Sequence, residues 1–119
     1  MKIRIRGNSV RLRLGQSEVR RLNDGAAVEE HTQFGPSSRL VCSIAPGDAF
    51  SATFDAGQIS IHVPRAILRN WATTDQVSIE AHQQSEGAPP LKVLIEKDFE
   101  CSNPDESQAD AFPNPNKCE

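Results

Sequence analysis

Val10-Arg-Leu-Arg-Leu-Gly-Gln-Ser-Glu-Val-Arg-Arg-Leu-Asn-Asp-Gly-Ala-Ala-Val28 lies over Ile59-Ser-Ile-His-Val-Pro-Arg-Ala-Ile-Leu-Arg-Asn-Trp-Ala-Thr-Thr-Asp-Gln-Val77 when the chain is slid 49 residues along itself. Apolar positions coincide: Val10 with Ile59, Leu12 with Ile61, Leu14 with Val63, Val19 with Leu68, Leu22 with Trp71, and Val28 with Val77. In each stretch the apolar period changes from two to between three and four. That change reads as a strand followed by a short amphipathic helix, and a further strand follows. The match predicts a duplicated strand-helix-strand unit, over residues 10–28 and again over 59–77.

Working outward, Lys2-Ile-Arg-Ile-Arg6 and Ser9-Val-Arg-Leu-Arg-Leu14 alternate with period two around Gly7-Asn8, the pattern of a tight hairpin. Ile3, Ile5, Val10, Leu12 and Leu14 then face a core, and Lys2, Arg4, Arg6, Arg11 and Arg13 share the opposite face. A helix is expected over Gln16–Asn23, ended by Gly25. Strands are expected over Ala27–Phe34 and Arg39–Ala45, the latter closed by Pro46-Gly47. Phe50–Phe54 and Gln58–Val63 form a second hairpin around Asp55-Ala-Gly57. Pro64 opens a second helix, where a missing amide costs nothing, with Ile67, Leu68 and Trp71 as its apolar stripe. The last strands are Gln76–His82 and Leu91–Glu96, with Gln84–Pro90 as a flexible connection. The fold class is therefore α+β, mostly β, arranged as a pseudo-twofold barrel or sandwich. Residues 1–99 are expected to form a single α+β domain, and 100–119 an acidic, Pro/Asx-rich tail packed on it.

At 119 residues the chain can bury a core without staples. No apolar run approaches the roughly 20 residues of a membrane span, and the start has no apolar signal region. A cytoplasmic protein without membrane partners is expected. Charge is polarised: residues 1–21 hold seven basic residues and one acidic, whereas 96–119 hold seven acidic and two basic. Such polarity points to an anionic partner, or to a tail that folds over the basic face.

Arg4, Arg6, Arg11 and Arg13 are the candidate anion-binding residues, with nucleic acid or an acidic protein as partner. No aromatic residue interleaves with them, which disfavours stacking on single-stranded bases. The alternative is a structural or protein-interaction subunit whose charges only keep it in solution. In the tail, Phe112 is the one large apolar residue after Phe99, and Pro113 and Pro115 stiffen the chain around it. These three are the candidate tail anchor. Cys101 and Cys118 are left open between free thiols, a disulfide contributing roughly 3 kcal/mol in the loop-entropy picture, and a metal site. No cofactor is predicted. Zinc is the one metal the tail cysteines suggest, and two thiolates with sixteen residues between them fall short of the usual four-ligand spacing. Cys42, sharing a face with Leu40 and Ile44, reads as a small buried hydrophobe. No nucleophile elbow, phosphate-binding glycine loop or zinc-protease motif is present, so the reading is of a non-enzymatic module.

The second repeat resembles the swapped-hairpin AbrB-type DNA-binding unit through Val63-Pro64, Leu68, Asp75 and Val77. Trp71-Ala72 and Thr74 depart from the pattern of that family. AbrB-type units pair as dimers, so two in one chain imply a monomeric pseudo-dimer. Over nearly its full length the chain also resembles a small bacterial family with no assigned activity. The carrying residues are Met1–Leu14 with Gln16-Ser-Glu-Val19, Thr32-Gln-Phe-Gly-Pro36, Glu96-Lys-Asp-Phe-Glu-Cys101 and Asp110-Ala-Phe-Pro-Asn-Pro115.

Overall fold

The computed structural model describes residues 1–99, 110, 112 and 113. Its elements run β1 (Lys2–Arg6), β2 (Ser9–Leu14), α1 (Gln16–Asn23), β3 (Val28–Gln33), β4 (Arg39–Gly47), β5 (Ser51–Asp55), β6 (Gln58–Pro64), α2 (Arg65–Thr73), β7 (Ser78–Ser85) and β8 (Ala88–Lys97). The fold is α+β and mostly β, as the period-two stretches require. Two compact units divide the chain: residues 1–20 with those from Val77 onward, and residues 21–76.

The first unit contains a four-stranded sheet in the order β1-β2-β8-β7, and the second a four-stranded sheet in the order β3-β4-β6-β5. Both have the same internal plan. A parallel pair at the centre, β2 with β8 or β4 with β6, is flanked by an antiparallel strand on each side. Exchanging β1–β4 with β5–β8 carries one strand order into the other. Lys2 and Ser51, Ser9 and Gln58, and Gln16 and Arg65 open corresponding elements at a separation of 49 residues.

From the third strand of each half the correspondence shifts to 51. Leu12 pairs with Ile95 as Ile61 pairs with Ile44, and Val28 pairs with Ile44 as Ile79 pairs with Ile95. The same shift relates two turn closures: Lys92 donates its backbone N–H to the carbonyl of Asn8, and Val41 donates to that of Gly57. Val28 therefore corresponds to Ile79, not to Val77 as the sliding match has it. Val28 and Ile79 are buried, whereas Val77 is 42% exposed. Two additional residues between Trp71 and Ile79, relative to Leu22 and Val28, account for the difference.

Leu12, Leu14, Val19, Ile79, Val93 and Ile95 are the buried apolar side chains of the first unit. In the second they include Leu22, Val28, Cys42, Ile44, Ile61, Val63, Leu68 and Trp71. Three expectations need correction. Ile5 and Ile67 are exposed: Ile5 lies next to the hairpin tip, and Ile67 lies off the Leu68–Trp71 stripe of α2. Gln84–Pro90 is no flexible connection, because β7 and β8 continue through it to a turn at Glu86-Gly87. The prolines are tolerated there because they stand at the opening of β8, and Asn8 Nδ2 donates to the carbonyls of Pro89 (3.2 Å) and Pro90 (2.7 Å).

The first hairpin of each half turns at Gly7-Asn8 or at Ala56-Gly57. Gly7 has φ 55°, and at the corresponding position Ala56 has φ 51°. A Cβ in this left-handed region is strained by about 1–2 kcal/mol, and glycine relieves the strain at a smaller cost in chain entropy. Ala56→Gly is accordingly expected to raise stability by about 0.5 kcal/mol, read as a higher denaturant midpoint at unchanged slope. A lower midpoint would contradict this account of the turn.

Candidate anion-binding face

Alternation along β1 and β2 puts every second side chain on one face of the first sheet, and the register sets those side chains in rows. Lys2 stands opposite Arg13, Arg4 opposite Arg11, and Arg6 opposite Ser9. The parallel neighbour β8 continues the rows with Glu96, Leu94 and Lys92, and β7 ends them with Ser78, Glu80 and His82. The structure thus brings all four predicted arginines together. Lys2 and Lys92 extend the patch. The alternation of β1 already identified Lys2. Lys92 enters only because β8 pairs with β2, which local sequence does not disclose.

Carboxylates neutralise part of this face. Glu96 Oε1 receives Arg11 Nε at 3.1 Å and Arg13 Nε at 3.4 Å, Lys2 Nζ lies 2.9 Å from Asp98, and Lys92 Nζ lies 3.4 Å from Glu80. Arg4 and Arg6 are exposed, and among the described residues no carboxylate lies within ion-pair distance of either. With Ser9 and Arg11 they line a shallow cavity of about 120 Å³. Two directly opposed arginines, Arg4 and Arg11, repel each other across the strand pair and destabilise it in the absence of a counter-ion.

The second sheet provides an internal comparison. Thr53, Asp55, Ser60 and His62 stand at the places of Arg4, Arg6, Arg11 and Arg13, since the β5–β6 register repeats that of β1–β2. Ser51 stands in place of Lys2 and bonds His62 Nδ1 through its hydroxyl at 3.3 Å. The same strand plan is therefore built without arginine at any of these positions. Burial and register do not require the basic side chains.

The tail residues meet the first unit at the start of α1. The Asp110 carbonyl accepts the Gln16 N–H at 2.8 Å, and its carboxylate accepts the Ser17 N–H at 3.0 Å and the Ser17 hydroxyl at 2.7 Å. Asp110 thus caps a helix from a distant part of the chain. The two bonds from Ser17, its hydroxyl first and then its N–H, hold the Asp110 carboxyl below the usual range. The contribution of the cap is present above about pH 4, and is lost as pH falls through the lowered native value. Titration followed at the Ser17 amide is expected to show that acid transition, and its absence from an Asp110→Asn variant checks the assignment. Sequence reading missed this cap, although Gly15-Gln16 gives α1 no Ser, Thr, Asp or Asn at its entrance, which was the available signal.

Phe112 is half-buried, its ring 5.8 Å from that of Phe99 at 60° and 5.2 Å from Lys97 Nζ. Its N–H donates to the Asp98 carbonyl at 2.7 Å. Pro113 is exposed. Pro115, Cys101 and Cys118 lie outside the described residues. Cys42 is buried and unpaired by disulfide, and burial, then Glu30, pushes its thiol up to about 11. Among the described residues no group of three or more His, Cys, Asp or Glu is placed to hold a metal ion, and no helix is long and apolar enough to cross a membrane.

Two four-stranded sheets of similar build, one of them carrying a basic strand pair, define a small mostly-β protein. Residues 1–116 match the model of a family of unknown function, DUF7009, and the chain belongs to that family. No curated protein and no solved structure matches it.

Proposed function

We propose that the chain is a binding or regulatory module that holds an anionic partner on the outer face of its first sheet. The observation that carries this reading is the comparison between the two sheets. Arg4, Arg6, Arg11 and Arg13 occur on one sheet and are replaced by neutral or acidic residues on the other. Side chains spaced two residues apart on a strand repeat at about 6.8 Å, so the patch offers regularly placed charges. The absence of aromatic residues among them favours phosphates or carboxylates over stacked bases. The acidic tail is the internal competitor. What supports an AbrB-like origin is the strand plan, in which each sheet takes one hairpin from each half, as expected of a swapped-hairpin pair fused into a monomeric pseudo-dimer.

The test is binding of the full chain to a labelled DNA duplex of about 20 base pairs and to polyglutamate, each over a series of salt concentrations. Binding to either polyanion that weakens steeply with salt and depends on the four arginines supports the reading. Absence of binding to both at low salt overturns it.

A second reading, a protein-interaction subunit, is favoured by Phe34 and Phe54, which are 71% and 70% exposed in the second unit. Phe34→Ser and Phe54→Ser would then abolish capture of a protein partner while leaving polyanion binding unchanged.

A further inference from the structure

Three long side chains and one short one stand at the corners of a small rectangle on β1 and β2. Arg4 and Arg6 lie two residues apart on β1, with Arg11 and Ser9 directly opposite them. Residues opposed across an antiparallel pair lie about 5 Å apart, and alternate residues along a strand about 7 Å. Ser9 is short beside the three arginines, and the four residues line a depression of about 120 Å³. The Ser9 hydroxyl donates to the Arg6 carbonyl at 2.7 Å, which keeps this corner low against the backbone.

Charge at the depression is only partly compensated. Among the described residues no carboxylate lies within ion-pair distance of Arg4 or Arg6. Arg11 engages Glu96 through Nε at 3.1 Å, leaving its terminal amino groups as donors. The lining contains no apolar or aromatic side chain, so the depression suits a small oxyanion and not the body that carries it. In the second sheet Thr53, Asp55, Gln58 and Ser60 occupy the same corners. There a longer side chain stands at the Ser9 corner, and a carboxylate stands in place of Arg6.

We infer that Arg4, Arg6, Ser9 and Arg11 form a seat for the terminal phosphate of a phosphomonoester. The inference rests on the reading of the first sheet as an anion-binding face, and narrows its partner to one chemical class. A phosphomonoester carries about −1.5 to −2 charges near pH 7 and three strong acceptor oxygens. That charge matches the two uncompensated guanidiniums, and the oxygens match forked donors arriving from three corners. A phosphodiester has one charge and two free oxygens, and a carboxylate has one charge in a planar group. Neither uses the whole seat.

The first measurement is an NMR titration of the full chain at about pH 7.5, where a monoester is mostly doubly charged, and at constant ionic strength. Inorganic phosphate, methyl phosphate and dimethyl phosphate are the probes. Saturable shifts of the Arg4, Arg6, Ser9 and Arg11 amides are expected with the first two. Dimethyl phosphate, lacking one charge and one free oxygen, should bind about tenfold or more weakly. The second measurement uses Ser9→Gln, which installs the residue the second sheet carries, fills the depression and changes no charge. Methyl phosphate should bind this variant about tenfold or more weakly. The salt slope of duplex DNA binding, which counts cations, should stay that of the wild type. Equal binding of methyl and dimethyl phosphate overturns the monoester, as does binding of inorganic phosphate alone. Undiminished methyl phosphate binding by Ser9→Gln overturns the seat. Absent phosphate shifts beside salt-sensitive polyanion binding overturn the seat and leave the anion-binding face standing, whereas absence of both overturns the face as well. If Ser9→Gln fails to fold, the three probes on the wild-type chain decide.

Discussion

Transplanting the second sheet's residues onto the first, as Arg4→Thr, Arg6→Asp, Arg11→Ser and Arg13→His, is expected to abolish polyanion binding while leaving the fold intact. The replacements are those the chain itself uses at the corresponding positions of β5 and β6, so each is compatible with the strand plan. Removing four cations removes up to four counter-ion-releasing contacts. The slope of log affinity against log salt should therefore flatten by about 3–4, with affinity at low salt falling about a hundredfold or more. The added carboxylate at position 6 deepens the loss. Stability should change by about 1–2 kcal/mol, because Glu96 loses both guanidinium partners but remains partly hydrated. Unchanged affinity and slope in a folded variant would mean that the arginines only solvate the sheet.

The largest loss of stability is expected from Trp71→Ala. Trp71 is fully buried beside Leu68 on the apolar stripe of α2, and its removal leaves a cavity that the strands cannot close. Truncating a buried aromatic costs about 3–5 kcal/mol, a large share of the 5–15 kcal/mol that holds a domain of ordinary stability together. Trp71→Leu is the informative companion, since Leu22 fills the corresponding place in the other half. It should cost about half as much, because most of the cavity is refilled. Denaturant unfolding followed by circular dichroism distinguishes the two. Equal losses would show that packing at this position depends on the indole itself and not on volume.

Much of the fold is legible locally. Alternation around Gly7-Asn8 and Ala56-Gly57 defines two hairpins, and apolar spacing in Val19–Leu22 and Leu68–Trp71 defines two helices. Period and turn chemistry act over a few residues, so a linear reading finds them. The errors fall where a local signal competes with pairing. Pro89 and Pro90 suggest a loop, yet β8 opens through them because the Asn8 side-chain amide donates to their carbonyls. Val77 matches Val28 by counting, yet the ladder assigns that place to Ile79, since register follows the buried face and not the residue number.

The site divides in the same way. Clustering of Arg4, Arg6, Arg11 and Arg13 on one face followed from the period of a strand alone. That Glu96 bridges Arg11 and Arg13, that Lys92 joins the patch, and that Asp110 caps α1 depends on long-range pairing. These residues lie more than eighty positions from their partners, and no local pattern encodes which strand lies beside β2. By itself the sequence determined most of the strands, both helices and the basic face, because backbone geometry fixes where successive side chains point. Only the tertiary structure decided the strand order, the register and the capping of α1 by Asp110, because those depend on which distant segments of the chain meet.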